Sequence, residues 1–281
     1  MAAIKREEIL GKLNRKIESH EPLLITEAGV GIAAKCQAYA GADAVLVCHG
    51  ARMRMAGFGS GAGFFAYKNS TDMLYQEAHD ILPLLSDTPA IAGITAAEPF
   101  RDVAQVIDDM AHLGFSGVCN SPSTGWNDPM NAANLSKLGL GYDQEVAMIR
   151  LAHDKGLLTL AICYVAEQAT QMAEAGADIV VAELGITRGG LVGVQTVYPF
   201  EEASERIQAI SDAVKAVTPH GIVLCHGGIL NAPDIVEKML NSVTHVSGFL
   251  GGSATDRIPM EQGIIKTAQG FKQDRLFGFK G

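Results

Sequence analysis

The stretch AGADAVLVCHG (40–50) decides the fold of this chain, and it recurs in closely similar form as AGADIVVAELG (175–185). In each copy a glycine ends a helix, an aspartate follows, and a short apolar strand runs into a polar tip. Variants of the pattern occur at 115–122, 156–165 and 220–228. Strands that alternate with helical patterns predict βαβ units and a parallel sheet. Eight such units predict an α/β fold, a single closed (β/α)8 TIM barrel whose active site lies at the C-terminal ends of the strands.

The length of the chain fits one such barrel. Its 281 residues are close to the roughly 250 that a barrel of this type needs, so we predict a single domain over residues 1–281. An apolar content of 48% suits a well-filled core. The predicted strands begin near residues 23, 43, 90, 116, 157, 178, 221 and 246.

Both ends of the chain extend beyond the eight predicted units. Residues 1–20 form an amphipathic pattern, with Ile9 and Leu13 on its apolar stripe, and we expect this helix to close the bottom of the barrel. The segment lacks the apolar region of a secretory signal. The tail 273–281 carries the apolar sequence RLFGFKG, which predicts a partner surface and therefore a homo-oligomer.

Composition excludes several classes of function. A net charge of −9 disfavours nucleic acid and anionic membranes as partners, and no apolar run is long enough to span a bilayer. Five cysteines without paired spacing predict reduced thiols in a cytoplasmic protein. The glycine-rich segment GFGSGAG (57–63) follows no strand directly, so we expect no nucleotide cofactor.

Polar residues stand at the predicted strand tips, where catalysis is expected. Two glutamates among them could act as acid and base or could share a divalent cation such as Mg²⁺, and two histidines could move protons. The predicted catalytic residues are Glu27, His49, Glu183 and His226, with Glu27 and Glu183 as the alternative metal ligands, and Asn120 and Tyr164 as substrate contacts.

A second set of residues predicts an anion site. Loops after strands 7 and 8 commonly bind phosphate in this fold, because glycines let backbone N–H groups approach an anion closely. The residues expected to hold the phosphate or carboxylate are Gly227, Gly228, Gly251, Gly252 and Ser253.

Long loops follow strands 2, 4 and 6, and we expect all three to arch over one mouth. Arg188 in the sixth loop is predicted to close over the anionic substrate. Arg52 and Arg54 in the second loop could bind the anionic substrate, or they could be solvated side chains on a flexible loop. Cys48 and Cys225 are each followed by a histidine. Because successive strand residues point to opposite faces, a cysteine and the histidine after it cannot both face the barrel interior, so we discount cysteine catalysis.

Several segments resemble the phosphoenolpyruvate hydrolase-like TIM-barrel family: PLLITEAGVGIAAKCQAYAGADAV (22–45), GVCNSPSTG (117–125), AELGITRGG (182–190), HGGIL (226–230) and SGFLGGSATDR (247–257). The resemblance covers nearly the whole chain. It implies kinship with the phosphoenolpyruvate/pyruvate barrels, whose members commonly bind Mg²⁺ and an oxalate-like or enolate anion. The aspartate-rich metal motif after strand 3 and the Lys-Lys-Cys-Gly-His lid of the lyase branch are absent from this sequence, so the resemblance establishes neither the reaction nor a metal.

Together these features predict an enzyme that acts on a small anionic phospho- or keto-acid. The expected chemistry is hydrolysis or C–C lyase cleavage through an oxyanion or enolate intermediate. The alternative is a non-catalytic barrel that binds a ligand or another protein. Such a barrel would tolerate loss of the polar tip residues.

Overall fold

The computed structural model describes residues 3–65 and 67–273 and contains a closed barrel of eight parallel strands that pair in sequence order. The strands are β1 (Leu23–Ala28), β2 (Ala44–Val47), β3 (Ala90–Gly93), β4 (Gly117–Cys119), β5 (Leu158–Cys163), β6 (Ile179–Glu183), β7 (Ile222–His226) and β8 (Gly248–Gly251). The first and last strands pair directly, with Thr26 opposite Gly251, and this pairing closes the barrel. The predicted TIM barrel is confirmed.

The helices lie outside and below the strands. They are α1 (Arg6–Glu18), α2 (Gly31–Tyr39), α3 (His49–Met55), α4 (Ser70–Ile81), α5 (Val103–Leu113), α6 (Pro129–Lys137), α7 (Tyr142–Asp154), α8 (Ala166–Glu174), α9 (Phe200–Val217), α10 (Pro233–Leu240) and α11 (Arg257–Gln273), with 3-10 helices at Ser60–Phe64 and Leu82–Leu84. Two of them, α3 and α6, lie in segments predicted as strand end or loop. For α6 the missed signal is Asp128, whose side chain accepts from the backbone N–H groups of Met130 and Asn131 while Pro129 starts the helix.

The interior of the barrel is filled by alternate strand residues. Ile25, Leu46 and Leu224 are fully buried there, in one cluster with Ile9 and Leu13 of α1. The guanidinium of Arg6 pairs with the Asp178 carboxylate at 2.6 Å. The expected position of the N-terminal helix, closing the bottom of the barrel, is therefore observed.

Four of the five cysteines are buried and all are free. Cys48 lies inside the barrel, whereas Cys225 packs in the outer layer against the helices. Burial raises the pKa of the Cys163 and Cys225 thiols to about 12. Because the thiolate is the reactive form, this environment suits packing rather than catalysis.

The last helix stands away from its own barrel. The side chains of 262–269 are all exposed, and Ile264 and Phe271 keep 62% and 70% of their surface. Beside α10, β8 and β1 lies a groove of about 1030 Å³ that includes Val236 and Leu240. The apolar tail on which the oligomer prediction rested, 275–281, is outside the described residues. Among the residues described, no helix is both long enough and apolar enough to cross a membrane.

Candidate functional site

Five predicted tip residues come together at the mouth of the barrel, four from strand ends and His49 from the start of α3. Glu27, Tyr164, Glu183 and His226 line one cavity of about 390 Å³. Each stands two residues after a side chain that faces the interior; these are Ile25, Ile162, Val181 and Leu224. Side chains alternate between the two faces of a strand, so a residue two positions after an interior side chain also faces the interior. These four polar side chains therefore face inward at the C-terminal end of the barrel.

His226 lies between two carboxylates. Its Nε2 is 3.3 Å from Glu183 Oε2 and 4.0 Å from Glu27 Oε1. Its Nδ1–H donates to the Leu250 carbonyl at 2.6 Å, which fixes the ring and turns Nε2 towards the acids. Burial opposes protonation, but Glu183 and Glu27 outweigh it, so the pKa of His226 lies above its ordinary value. The site therefore favours an imidazolium.

Arg54 lies at the centre of a buried charge network. Its Nη2 donates to Glu27 Oε2 at 2.6 Å and to Asp256 Oδ2 at 2.7 Å, and all three residues are buried. Burial raises the pKa of the Glu27 carboxyl. The positive charges of Arg54 and His226 outweigh burial, so the net pKa of Glu27 is below its ordinary value. Glu27 is thus held ionised. A solvated Arg54 is excluded: α3 carries Ala51 and Arg54 inward on one face.

Glu183 has a different environment from Glu27. Its Oε1 accepts from the backbone N–H of Gly185 at 2.7 Å. Burial is the largest influence on its pKa, the positive charge of His226 opposes it, and the net pKa of Glu183 is raised. The environments of Glu27 and Glu183 thus shift their pKa values in opposite directions. Such a pair can supply an acid and a base in one site. Burial also raises the pKa of Tyr164 well above its usual value, so its hydroxyl remains a neutral donor.

His49 lines the same cavity as predicted, but it reaches the cavity from α3 rather than from a strand tip. The barrel-facing position is taken by Cys48, and His49 begins α3 instead. Its Nε2–H donates to the carbonyl of Gly63, and burial lowers the pKa of its ring. Its Nδ1 is buried and has no partner among the described residues. A neutral ring in this position ties α3 to the 3-10 helix Ser60–Phe64 beside the mouth, and the catalytic role of His49 stays a prediction.

Among the described residues, those that line the cavity do not include Asn120. Cys119 faces the barrel interior, so the next side chain points outward. The Asn120 amide donates to Glu145 at 2.6 Å and accepts from the backbone N–H of Ile162 at 2.7 Å. These bonds tie β4 to β5 and hold the Asn120 side chain away from the cavity that the other tip residues line. Burial raises the pKa of Glu145, which sequence reasoning missed, to about 7.

The predicted anion site holds carboxylates of the protein itself. A Cβ atom on Gly252 would lie 2.8 Å from Glu27 Oε2, and one on Gly227 would lie 2.5 Å from Glu183 Oε1. Gly228 and Gly251 pack in the same way against Leu184 and Thr255. Of the five predicted residues, Ser253 lines the cavity. These glycines admit the acid groups of the site at close range.

Arg188 is exposed, and its side chain is not among the described groups that line the cavity. Its backbone N–H donates to the Gly228 carbonyl at 2.8 Å. The predicted closure over the substrate has no counterpart in this conformation and stays a prediction.

The three long loops do meet over one mouth. The rings of Phe64 and Trp126, from the second and fourth loops, have centroids 5.1 Å apart. A Cβ atom on Gly59 would lie 2.8 Å from the carbonyl oxygen of Val192 in the sixth loop. The loops therefore supply an apolar wall above the polar floor.

The donor set does not fit a resident divalent cation. The described residues contain no group of three or more His, Cys, Asp or Glu side chains arranged to hold a metal ion. Glu27 is bonded to Arg54, and Glu183 is bonded to the Gly185 N–H and faces His226. An imidazole and a guanidinium occupy the position between carboxylates that a metal ion would need, so the metal-ligand interpretation of Glu27 and Glu183 is not supported.

Replacing Gly252 by alanine tests whether the close packing of this glycine against Glu27 and His226 matters for activity. The added methyl group would press on Glu27 Oε2 and on His226 Cε1, 2.9 Å away. We expect at least a tenfold loss of kcat/KM, since displacements of about 1 Å in a catalytic group cost on the order of 100-fold. Gly263→Ala is the control, because its added Cβ meets nothing within 4 Å. Equal activity of the two variants would contradict this account.

Comparison with known proteins gives the family. A sequence model of the family described as phosphoenolpyruvate hydrolase-like matches residues 8–273. The chain is 39% identical over 268 residues to the tomato (Solanum lycopersicum) ToMV resistance protein Tm-1(GCR237), and equally to the susceptible protein tm-1(GCR26). These matches cover 95% of this chain and 36% of each tomato protein, so the chain spans about a third of their length.

Solved structures share the fold at low identity. Phosphonopyruvate hydrolase in complex with oxalate and Mg²⁺ superposes with a TM-score of 0.59 at 14% identity, covering 93% of this chain and 86% of that one. For 2,3-dimethylmalate lyase, a member of the PEP mutase/isocitrate lyase superfamily, the TM-score is 0.57 at 14% identity, with coverage of 99% and 91%. The whole-length family match and the tomato relatives, on a closed eight-stranded barrel, show that this chain belongs to the phosphoenolpyruvate hydrolase-like family.

Proposed function

We propose that this protein hydrolyses a carbon–carbon bond in a small keto acid and releases one fragment as an enolate. The observation that carries the proposal is His226, held between Glu27 and Glu183 on the floor of the cavity. A cation beside an ionised acid and a second acid of raised pKa can stabilise an oxyanion and transfer a proton in one site.

The bond changes can be assigned to this site. Glu183 as a carboxylate takes a proton from water, whose oxygen bonds to the substrate carbonyl carbon. As the carbonyl reforms, the neighbouring C–C bond breaks and its electron pair forms an enolate. The proton on Glu183 then passes to the enolate carbon. The sum is keto acid plus water to two acids, with no other reactant.

Two groups would stabilise negative charge on oxygen. The His226 imidazolium supplies a positive charge at the floor, and the Tyr164 hydroxyl supplies a neutral donor on the lining of the same cavity. Glu27 keeps the imidazolium protonated, and Arg54 keeps Glu27 ionised. Fixed donors in a site shielded from water contribute strongly to catalysis.

The comparisons agree with the class of reaction. Structures with the same fold are named phosphonopyruvate hydrolase, 2,3-dimethylmalate lyase and oxaloacetate acetylhydrolase, the last solved with oxalate as its product. These are hydrolases and lyases of small acids. We propose the same class here but without a resident Mg²⁺, because an arginine and a histidine hold the carboxylates.

The test is a cleavage assay on a panel of β-keto acids, with separate measurement of both product acids. Activity should survive 5-fold changes of added Mg²⁺ and full chelation, and Glu183→Gln should lower kcat at least 100-fold. If no keto acid is cleaved, and Glu183→Gln binds ligands as the parent does, the non-catalytic barrel is the better account. Activity that disappears with chelator and returns with Mg²⁺ would overturn the metal-free site.

We further propose that α11 packs on a second copy of this chain. The helix exposes Ile264 and Phe271, and the groove of Val236 and Leu240 lies open where the helix after β8 would complete the barrel. Lys272 of the helix is opposite in charge to Glu237 of the groove.

Ile264→Lys should therefore weaken the assembly, because it places a charge in an apolar contact. Light scattering over a range of protein concentrations should give a dimer or larger species for the parent and a shift towards monomer for the variant. Gln269→Lys, an exposed position on the opposite side of the same helix, is the control. A parent that is monomeric at all concentrations would contradict the proposal.

A further inference from the structure

Most of the surface that lines the cavity is apolar. Above the polar floor the wall is formed by Phe64, Phe65, Pro122, Trp126 and Ile186, and Ile162 adds apolar surface at the base, below Tyr164. The Phe64 and Trp126 rings meet at an interplanar angle of 52° and close one side. Such a wall stabilises a hydrocarbon part of a ligand and offers nothing to a charged one.

Every cation on this cavity is already paired, counting the residues that the structure describes. Arg54 is bound to Glu27 and Asp256, and His226 faces Glu183 and Glu27. Three acid groups thus surround two cations before any ligand enters. Phosphate and second carboxylate groups are normally met by free arginine, lysine or backbone N–H groups. Here the glycines that would offer close approach, Gly227 and Gly252, lie against Glu183 and Glu27.

From these two observations we infer that the cavity selects keto acids with a single negative charge and an apolar arm over phosphorylated or dicarboxylic acids of the same length. The inference rests on the proposed function and narrows its substrate. The single carboxylate lies towards His226 and the hydroxyls of Ser60, Thr187 and Ser253, and the arm lies against Phe64 and Trp126. A 2,4-dioxo acid with an alkyl group beyond its second carbonyl has this form.

The experiment compares 2,4-dioxoheptanoate with 2,4-dioxoheptanedioate, which differ only in a terminal carboxylate. We expect at least a tenfold higher kcat/KM for the singly charged acid. Trp126→Ala should reduce that preference mainly through KM. Phe100→Ala, an exposed aromatic outside this cavity, should leave it unchanged.

A binding measurement separates the inference from the proposed reaction. Thermal shift with the non-cleavable pair 2-oxoheptanoate and 2-oxoheptanedioate should favour the first. If neither dioxo acid is cleaved but this preference holds, the proposed reaction fails and the selectivity stands. Equal or stronger response to the dicarboxylate, or no response to either acid, overturns the inference.

Discussion

Replacing Arg54 by methionine is expected to destabilise the folded protein by about 3–5 kcal/mol, the usual cost of removing one partner from a buried ion pair. Methionine keeps much of the side-chain volume but leaves Glu27 and Asp256 buried without their cation. Both carboxylates would then have to take up protons or draw water into the barrel. Chemical denaturation followed by circular dichroism measures the loss.

The same helix supplies a matched control for this variant. Arg52 lies two residues earlier and is exposed, so Arg52→Met should change the free energy of unfolding by no more than about 0.5 kcal/mol. Adding Asp256→Asn to Arg54→Met should recover part of the loss, since it removes one of the uncompensated charges. Similar stability of Arg52→Met and Arg54→Met would show that the network is not a structural requirement.

Glu183→Gln is expected to lower kcat by 100-fold to 10,000-fold, the range that a positioned general base contributes. Glutamine keeps the shape of the side chain but cannot take a proton from water. Circular dichroism should show a folded protein. Glu201→Gln, at an exposed position of α9, should retain full activity.

The pH dependence of the proposed reaction, in the roles that we propose for Glu183 and His226, follows from their two raised pKa values. Glu183 works as a carboxylate, so activity falls as the pH drops through its raised pKa. His226 works as an imidazolium, so activity falls again as the pH rises through its own raised pKa. We expect a bell-shaped profile of kcat/KM whose acidic limb lies above the ordinary glutamate value. A single alkaline limb with no acidic one would contradict the role of Glu183.

The effect of Glu183 on the free energy of unfolding should depend on pH in the opposite direction to its effect on activity. Its pKa is higher in the folded protein than in the unfolded chain, so the folded state binds more protons between the two values. The contribution of this group to stability is therefore present at low pH and is lost as the pH rises through the folded pKa.

Strand alternation made the central part of the site predictable. Glu27, Glu183 and His226 continue the inward-facing series of their strands, so the sequence pattern that predicts the core also predicts their meeting. Applied more strictly, the same alternation places Asn120 outside, because Cys119 already faces inward. His49 breaks the series for a different reason, since β2 ends at Val47 and the chain turns at once into α3.

Arg54 and Asp256 could not be paired from the sequence. They are 202 residues apart, and their contact exists only because the first and last strands lie side by side. The glycines of the predicted anion site were misleading for a related reason. A glycine admits any close neighbour, and which one arrives depends on side chains from other strands.

The Arg54 network has a consequence for synthesis of the protein. Arg54 is synthesised 202 residues before Asp256, which follows the last strand of the barrel. Until translation passes Asp256, the nascent chain lacks both the strand that closes the barrel and one of the two acids that neutralise Arg54. Truncated translation products should therefore be inactive and exposed to proteolysis, and the appearance of activity would mark release of a complete barrel.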